Sequence, residues 1–188
     1  GTSVAQDFVE LPSQIMEHWA VEPEVLKLYA KHYETREVIP DELITKIQNQ
    51  GTFNQGFMTT ELLAAALLDM ELHNLTDTEN LNVVAFEKET MDKLGLIPEI
   101  APRYRATYFS HIIGGYAAGY YSYLWAEVLD TDAFEAFKEH GVFDKNTADS
   151  FRKNILEKGG TEDPMTLYRG FRGADPSLEP LLKNRGLK

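Results

Sequence analysis

Cysteine is absent from the 188 residues, which excludes disulfides, thiolate nucleophiles and every cysteine-ligated zinc site. That absence, together with an opening GTSVAQDFVELPSQ that has neither a basic n-region nor an apolar h-region, leads us to expect a cytoplasmic protein without a signal peptide. Positive charge is scarce: 18 Lys and Arg stand against 30 Asp and Glu, a net charge of −12. Such a surface repels phosphate backbones and anionic lipid at long range, so nucleic acid is not expected as a partner. Long apolar runs are missing too. The run LLAAALL over 62–68 falls far short of the roughly 20 residues that cross a bilayer, so no membrane partner is expected either.

What is present suits an ordinary globular chain. Hydrophobic residues make up 43% and charged residues 26%, enough apolar content for one unit of this length with a substantial core. We therefore expect residues 1–188 to form a single helical unit. The periodicities are helical throughout and no period-2 pattern stands out, so the fold class is all-α, with 6–9 the one place where a strand or linker is allowed. Two short helices are predicted on either side of Pro23. Pro40 opens a helix over DELITKIQNQ that Gly51 closes, and Thr59 and Thr60 precede the strongly helical ELLAAALLDMELHNL. Gly95, Pro98 and Pro102 break the chain into turns. Two helices, DAFEAFKEHG and TADSFRKNILEKGG, and two short ones around a Gly-Arg-Gly-rich bend complete the chain.

The stretch HIIGGYAAGYYSYLW over 111–125 is the most unusual. On a helix, Tyr116, Tyr120 and Tyr123 recur at i, i+4, i+7 and share one face over about two turns, roughly 10 Å. Gly114 and Gly115 suit a mobile or tightly turned loop, with His111 just upstream. Phenol and imidazole donors converging on a cleft can stabilise a developing oxyanion; aromatics at helical spacing equally suit a packed core.

In DFVELPSQIMEHW, Glu10, Gln14 and Glu17 also recur at i, i+4, i+7. One helix face then carries two carboxylates and an amide, which reads either as a metal ligand with a neighbouring partner or as a solvated face. None of the five histidines, His18, His32, His73, His111 and His140, belongs to an HExxH pair. A catalytic zinc usually takes three protein ligands, and Glu10 would supply only one.

Four separated segments, DFVELPSQIMEHW, ELLAAALLDMELH, PRYRATYFSHIIGGYAAGYYSYLWAEVL and FRKNILEKGG with DPMTLYRGFRG, resemble the carboxy-terminal part of the thimet oligopeptidase family of zinc metallopeptidases. The resemblance runs through essentially the whole chain. ALLDMELH and PRYRATYFSH are most similar to its bacterial peptidyl-dipeptidase branch. It implies the helical carboxy-terminal portion of a zincin-like, two-lobed channel peptidase that hydrolyses short peptides and releases carboxy-terminal dipeptides. In that family, zinc is held by the two histidines of an HExxH helix and by a glutamate further along the chain, which Glu10 matches.

The resemblance also implies that Tyr123, with His111 and Tyr116, hydrogen-bonds the substrate and its tetrahedral oxyanion, that Tyr120 holds the peptide's carboxy-terminal end, and that the Gly114–Gly115 loop closes on the substrate. Arg103 and Arg105 are nearby cations that can meet a terminal carboxylate. The HExxH helix would lie ahead of Gly1, so the 188 residues alone are expected to be inactive. Apolar surfaces that meet the rest of the parent would favour self-association. The alternative is a non-catalytic, all-helical module whose tyrosines form a peptide- or protein-binding groove; an HExxH encoded upstream would decide between the two.

Overall fold

The computed structural model describes residues 3–188, which are organised as two compact units, one formed by residues 3–53 with 125–188 and the other by Asn54–Leu124. Nine α-helices order the described residues: α1 (Leu11–Trp19), α2 (Pro23–Tyr29), α3 (Asp41–Gln50), α4 (Gln55–His73), α5 (Val83–Lys93), α6 (Ser122–His140), α7 (Lys145–Phe151), α8 (Pro164–Arg172) and α9 (Glu179–Asn184). No β-strand is present among the described residues. The only β pairing there is an isolated antiparallel bridge between Lys31 and Val38, closed by a turn in which Arg36 takes a φ of 62°. The fold is all-α.

Proline sets several helix starts. Pro12, Pro23, Pro164 and Pro180 each occupy the first turn of α1, α2, α8 or α9, where a missing N–H costs nothing because that donor has no partner inside the helix. Asp163 adds a cap to α8, accepting from the N–H groups of Met165 at 2.9 Å and Thr166 at 3.2 Å. Gly173 ends the same helix at φ 83°, a conformation open to glycine at little steric cost.

Several boundaries differ from expectation. Residues 6–9, allowed as a strand or linker, hold a short 3-10 helix over Gln6–Phe8. The helix expected after Thr60 begins at Gln55. DAFEAFKEHG is the second half of α6 rather than a separate helix. The helix expected over 147–160 begins at Lys145 and passes from α7 into a π-type turn over Arg152–Leu156, in which the Glu157 N–H reaches Arg152 O at 2.8 Å. Over 83–93 no helix is read from the sequence, yet α5 forms there, capped by Asn82 accepting from the Ala85 N–H at 3.0 Å.

In the first unit, Phe8, Leu11 and Ile15 pack with Leu129, Phe134, Phe137, Phe151, Leu167 and Tyr168 in one buried cluster. Each large apolar side chain buried in this way contributes about 1.5–3 kcal/mol. Its polar groups are paired: the Trp19 indole N–H donates to Val142 O at 2.8 Å, and the Tyr168 hydroxyl donates to Asp132 Oδ2 at 2.6 Å.

In the second unit, Ala65 and Ala66 of α4 pack with Phe109, Ile112 and Tyr120.

Candidate active site

Helix α1 carries the amino-terminal candidates. Glu10 occupies the N-cap position just ahead of the helix, half-buried, with its Oε2 accepting from the Ser13 hydroxyl at 2.5 Å. Gln14 turns to Asp130, donating from Nε2 to Oδ2 at 3.1 Å, and Glu17 is exposed. Among the described residues no three His, Asp or Glu side chains converge to hold a metal ion. These residues on their own therefore do not fit a three-ligand catalytic zinc, and Glu10 remains a single candidate ligand.

Asp130, 2% exposed on α6, has His18 Nε2 2.6 Å from its Oδ1, and the His18 ring stacks on Phe134 at 4.7 Å. His18 is thus a satisfied structural residue. Burial pushes the Asp130 carboxyl above its ordinary 3.8, against the pull of the His18 and Gln14 hydrogen bonds. A value raised in the folded state gives stability that is fully present below the unfolded value and is lost as pH rises through the folded one. Asp130→Asn is accordingly expected to gain in Tm relative to the wild type as the pH is raised from below 4 through the raised value. Melting curves of both proteins against pH check this, and a constant difference would contradict it.

The aromatic candidates lie in the second unit and come together around His111. Tyr116 and Tyr120 are not on a helix, contrary to the expectation from their spacing. Residues 114–121 form consecutive turns, and the α-helix starts only at Ser122. Ala118 sits at φ 50°, a left-handed conformation costing an alanine roughly 1–2 kcal/mol, and it ends any helical path from Tyr116. The rings converge nevertheless. The His111 ring lies 5.8 Å from Tyr116, 5.4 Å from Tyr120 and 6.2 Å from Tyr123. Tyr116 stacks on Tyr123 at 5.2 Å and 6°, and Tyr120 meets Tyr123 at 5.2 Å and 63°. His111 Nδ1 is buried without a hydrogen-bond partner.

Exposure separates the three phenols. Tyr116 and Tyr123 are half-buried, whereas Tyr120 is 3% exposed and packs edge-on against Phe109 at 4.8 Å. Burial pushes the Tyr120 hydroxyl up to about 12, with Arg103 pulling it the other way, so it stays a neutral donor at any ordinary pH. Gly114 and Gly115 are exposed, next to Ile113 at 79% exposure. A side chain on Gly115 would meet nothing within 4 Å.

Of the two nearby cations, Arg105 is engaged, its Nε 2.5 Å from Glu87 Oε1, while Arg103 is exposed. The buried carboxylates Asp69, Glu87 and Asp130 belong to no catalytic or metal-ligating motif that the sequence displays. Asp69 alone left a legible sign, as an acidic residue directly after the apolar run LLAAALL, with His73 one turn on.

Residues 1–187 match the profile of peptidase family M3. The chain belongs to peptidase family M3. It is 46% identical to a dipeptidyl carboxypeptidase of Escherichia coli strain K12 over the whole of this chain and 28% of that protein. It is 44% identical to a dipeptidyl carboxypeptidase of Salmonella typhimurium, again over the whole chain and 28% of the relative. An oligopeptidase A of Escherichia coli is 41% identical, likewise over the whole chain and 28% of its length. The chain thus spans a little over a quarter of these curated relatives. The aromatic cluster and Glu10 therefore belong to a part of an M3 peptidase chain.

Proposed function

We propose that the chain is the part of a zinc-dependent M3 peptidase that grips short peptides and releases carboxy-terminal dipeptides, with His111, Tyr116 and Tyr123 hydrogen-bonding the substrate at the bond that is cut. The convergence of Tyr116, Tyr120 and Tyr123 around the His111 imidazole is the observation that carries the reading. A half-buried phenol is a preorganised donor: little water must leave it as charge develops on the attacked carbonyl oxygen, so its hydrogen bond strengthens in the transition state. Tyr123 takes that role, and its stack on Tyr116 limits the rotation of both rings. Tyr120 offers its hydroxyl to the peptide's carboxy-terminal end while its ring packs the cluster. The exposed Gly114–Gly115 turn closes over the bound chain.

In this reading Glu10 is one ligand of the zinc, and the remaining ligands lie outside the 188 residues. Zinc supplies Lewis-acid activation in the complete enzyme; positioning and donation fall to the residues named above. The 188 residues by themselves are then expected to bind zinc no more tightly than a lone carboxylate does and to leave peptides uncut. Equilibrium dialysis against zinc and a peptide digest read by mass spectrometry check both. Zinc-dependent cleavage by this chain alone would contradict the assignment of the missing ligands.

The decisive experiment uses the full-length protein. Short peptides with free and amidated carboxy termini are digested before and after chelation and zinc re-addition. Dipeptides released from the free termini only, and only with zinc, are the expected products; internal fragments from both peptides would overturn dipeptide release, and metal-independent cleavage would overturn the zinc assignment. The similarity to dipeptidyl carboxypeptidases over the whole chain supports the first outcome.

A further inference from the structure

The segment 105–120 carries His111, Gly114, Gly115 and Tyr116, and at each end a buried carboxylate from a neighbouring helix holds its backbone. At the near end, Glu87 of α5, 3% exposed, accepts from the Ala106 N–H at 2.6 Å and pairs with Arg105 Nε at 2.5 Å. At the far end, Asp69 of α4, 0% exposed, accepts from the Ala118 N–H at 3.0 Å and the Tyr120 N–H at 2.9 Å. His73 completes that end, its Nδ1 2.8 Å from Asp69 Oδ1.

A carboxylate removed from water needs its hydrogen bonds made inside the protein. Both Asp69 and Glu87 make them to loop backbone, so the loop's ends and the helices hold one another. The Asp69 contacts bracket Ala118, the one residue of the loop outside glycine with a positive φ, 50°. This clamp offsets the cost of that conformation and sets the direction in which the chain leaves Tyr116 and enters Tyr120. The middle of the segment is different in kind: Ile113, Gly114 and Gly115 are exposed, with open space around Gly115.

We propose that Asp69 and Glu87 are positioning residues that fix the two ends of the 105–120 loop, so that His111, Tyr116 and Tyr120 are held in register while residues 113–115 alone move. The catalytic consequence rests on the peptidase reading above; the clamp does not.

Hydrogen exchange on the full-length protein, resolved to single amides by mass spectrometry, tests the clamp directly. The amides of Ala106, Ala118 and Tyr120 are expected to exchange at least ~10-fold more slowly than those of Gly114 and Gly115, since opening them breaks buried bonds to a charge. Equal rates in the wild type would overturn the proposal without any variant.

Asp69→Asn turns one of the two accepting oxygens into an amide donor, so one N–H group loses its acceptor and the other keeps only a neutral carbonyl in place of a carboxylate oxygen. Exchange at Ala118 and Tyr120 should rise at least ~10-fold, with α5 and the Ala106 amide unchanged. Glu87→Gln should do the converse. In a peptide assay Asp69→Asn is expected to lower kcat about 10-fold, with KM changed less, the scale of a small misplacement of reacting groups. Wild-type protection at Ala118 and Tyr120 in a folded Asp69→Asn protein would overturn the far anchor, and an unchanged kcat would overturn its link to turnover. Failure of the wild type to cut any peptide would instead sink the peptidase reading and leave the exchange result standing.

Discussion

Tyr123→Phe in the full-length enzyme is expected to lower kcat by ~10²-fold or more, with KM and Tm close to wild type. The substitution removes one oxygen and leaves the ring, so the 5.2 Å stack on Tyr116 and the 5.2 Å contact with Tyr120 persist. What is lost is a donor that matters most when negative charge appears on the carbonyl oxygen, which is why the loss falls on kcat rather than on binding. Steady-state kinetics on a short peptide, paired with a melting curve, separate the two. Unchanged turnover would remove Tyr123 from the reaction and leave the phenols as packing. A parallel fall in Tm would assign the hydroxyl a structural bond instead.

The largest effect on stability is expected from Phe134→Ala. Phe134 is 1% exposed and stands at the centre of the first unit's aromatic cluster. His18 stacks on it at 4.7 Å, Trp19 meets it edge-on at 4.6 Å, Phe137 lies at 6.2 Å, and the Lys138 ammonium sits 5.5 Å from its ring. Truncation removes the transfer free energy of the ring and opens a cavity that rigid aromatic neighbours fill poorly, a cost of about 3–5 kcal/mol. For a chain of this length that corresponds to a Tm lower by roughly 10 °C. Calorimetry on the purified protein reads it. A drop of only a degree or two would mean that His18 and Trp19 collapse into the space.

The parts of the fold that could be read from sequence are those decided within a few residues. Prolines that open helices and a helix-rich pattern without alternation act locally, and α1, α2, α3 and the turns over 95–104 appear as expected. α5 was not legible because its run, VVAFEKETMDK, has weak periodicity and begins with two β-branched valines. It is held by its Asn82 cap and by the buried Glu87 and Thr90. The candidate site was legible as a set of residues and misread as a geometry. His111, Tyr116, Tyr120 and Tyr123 do cluster, yet the cluster is built by a turn rather than by one helix face.

The residues that make that turn are far apart in sequence. Asp69 bonds to the amides of Ala118 and Tyr120, 49 and 51 positions along, and no local propensity anticipates a left-handed alanine held by a distant carboxylate. Asp130 and its partner His18 are likewise 112 residues apart, and each looks like an ordinary surface residue until α1 and α6 are paired.

By itself the sequence determined the helical class, the chemical types gathered in the site and, through its motifs, membership of the M3 peptidases. Only the tertiary structure decided which of the acidic residues are buried, that Tyr120 is core while Tyr116 and Tyr123 are half-open, and that buried carboxylates meet the backbone at both ends of the 105–120 loop. The reason is physical: helix starts and turns answer to neighbours along the chain, whereas the burial of a charge and the strain at Ala118 are tolerated only where remote groups arrive to satisfy them.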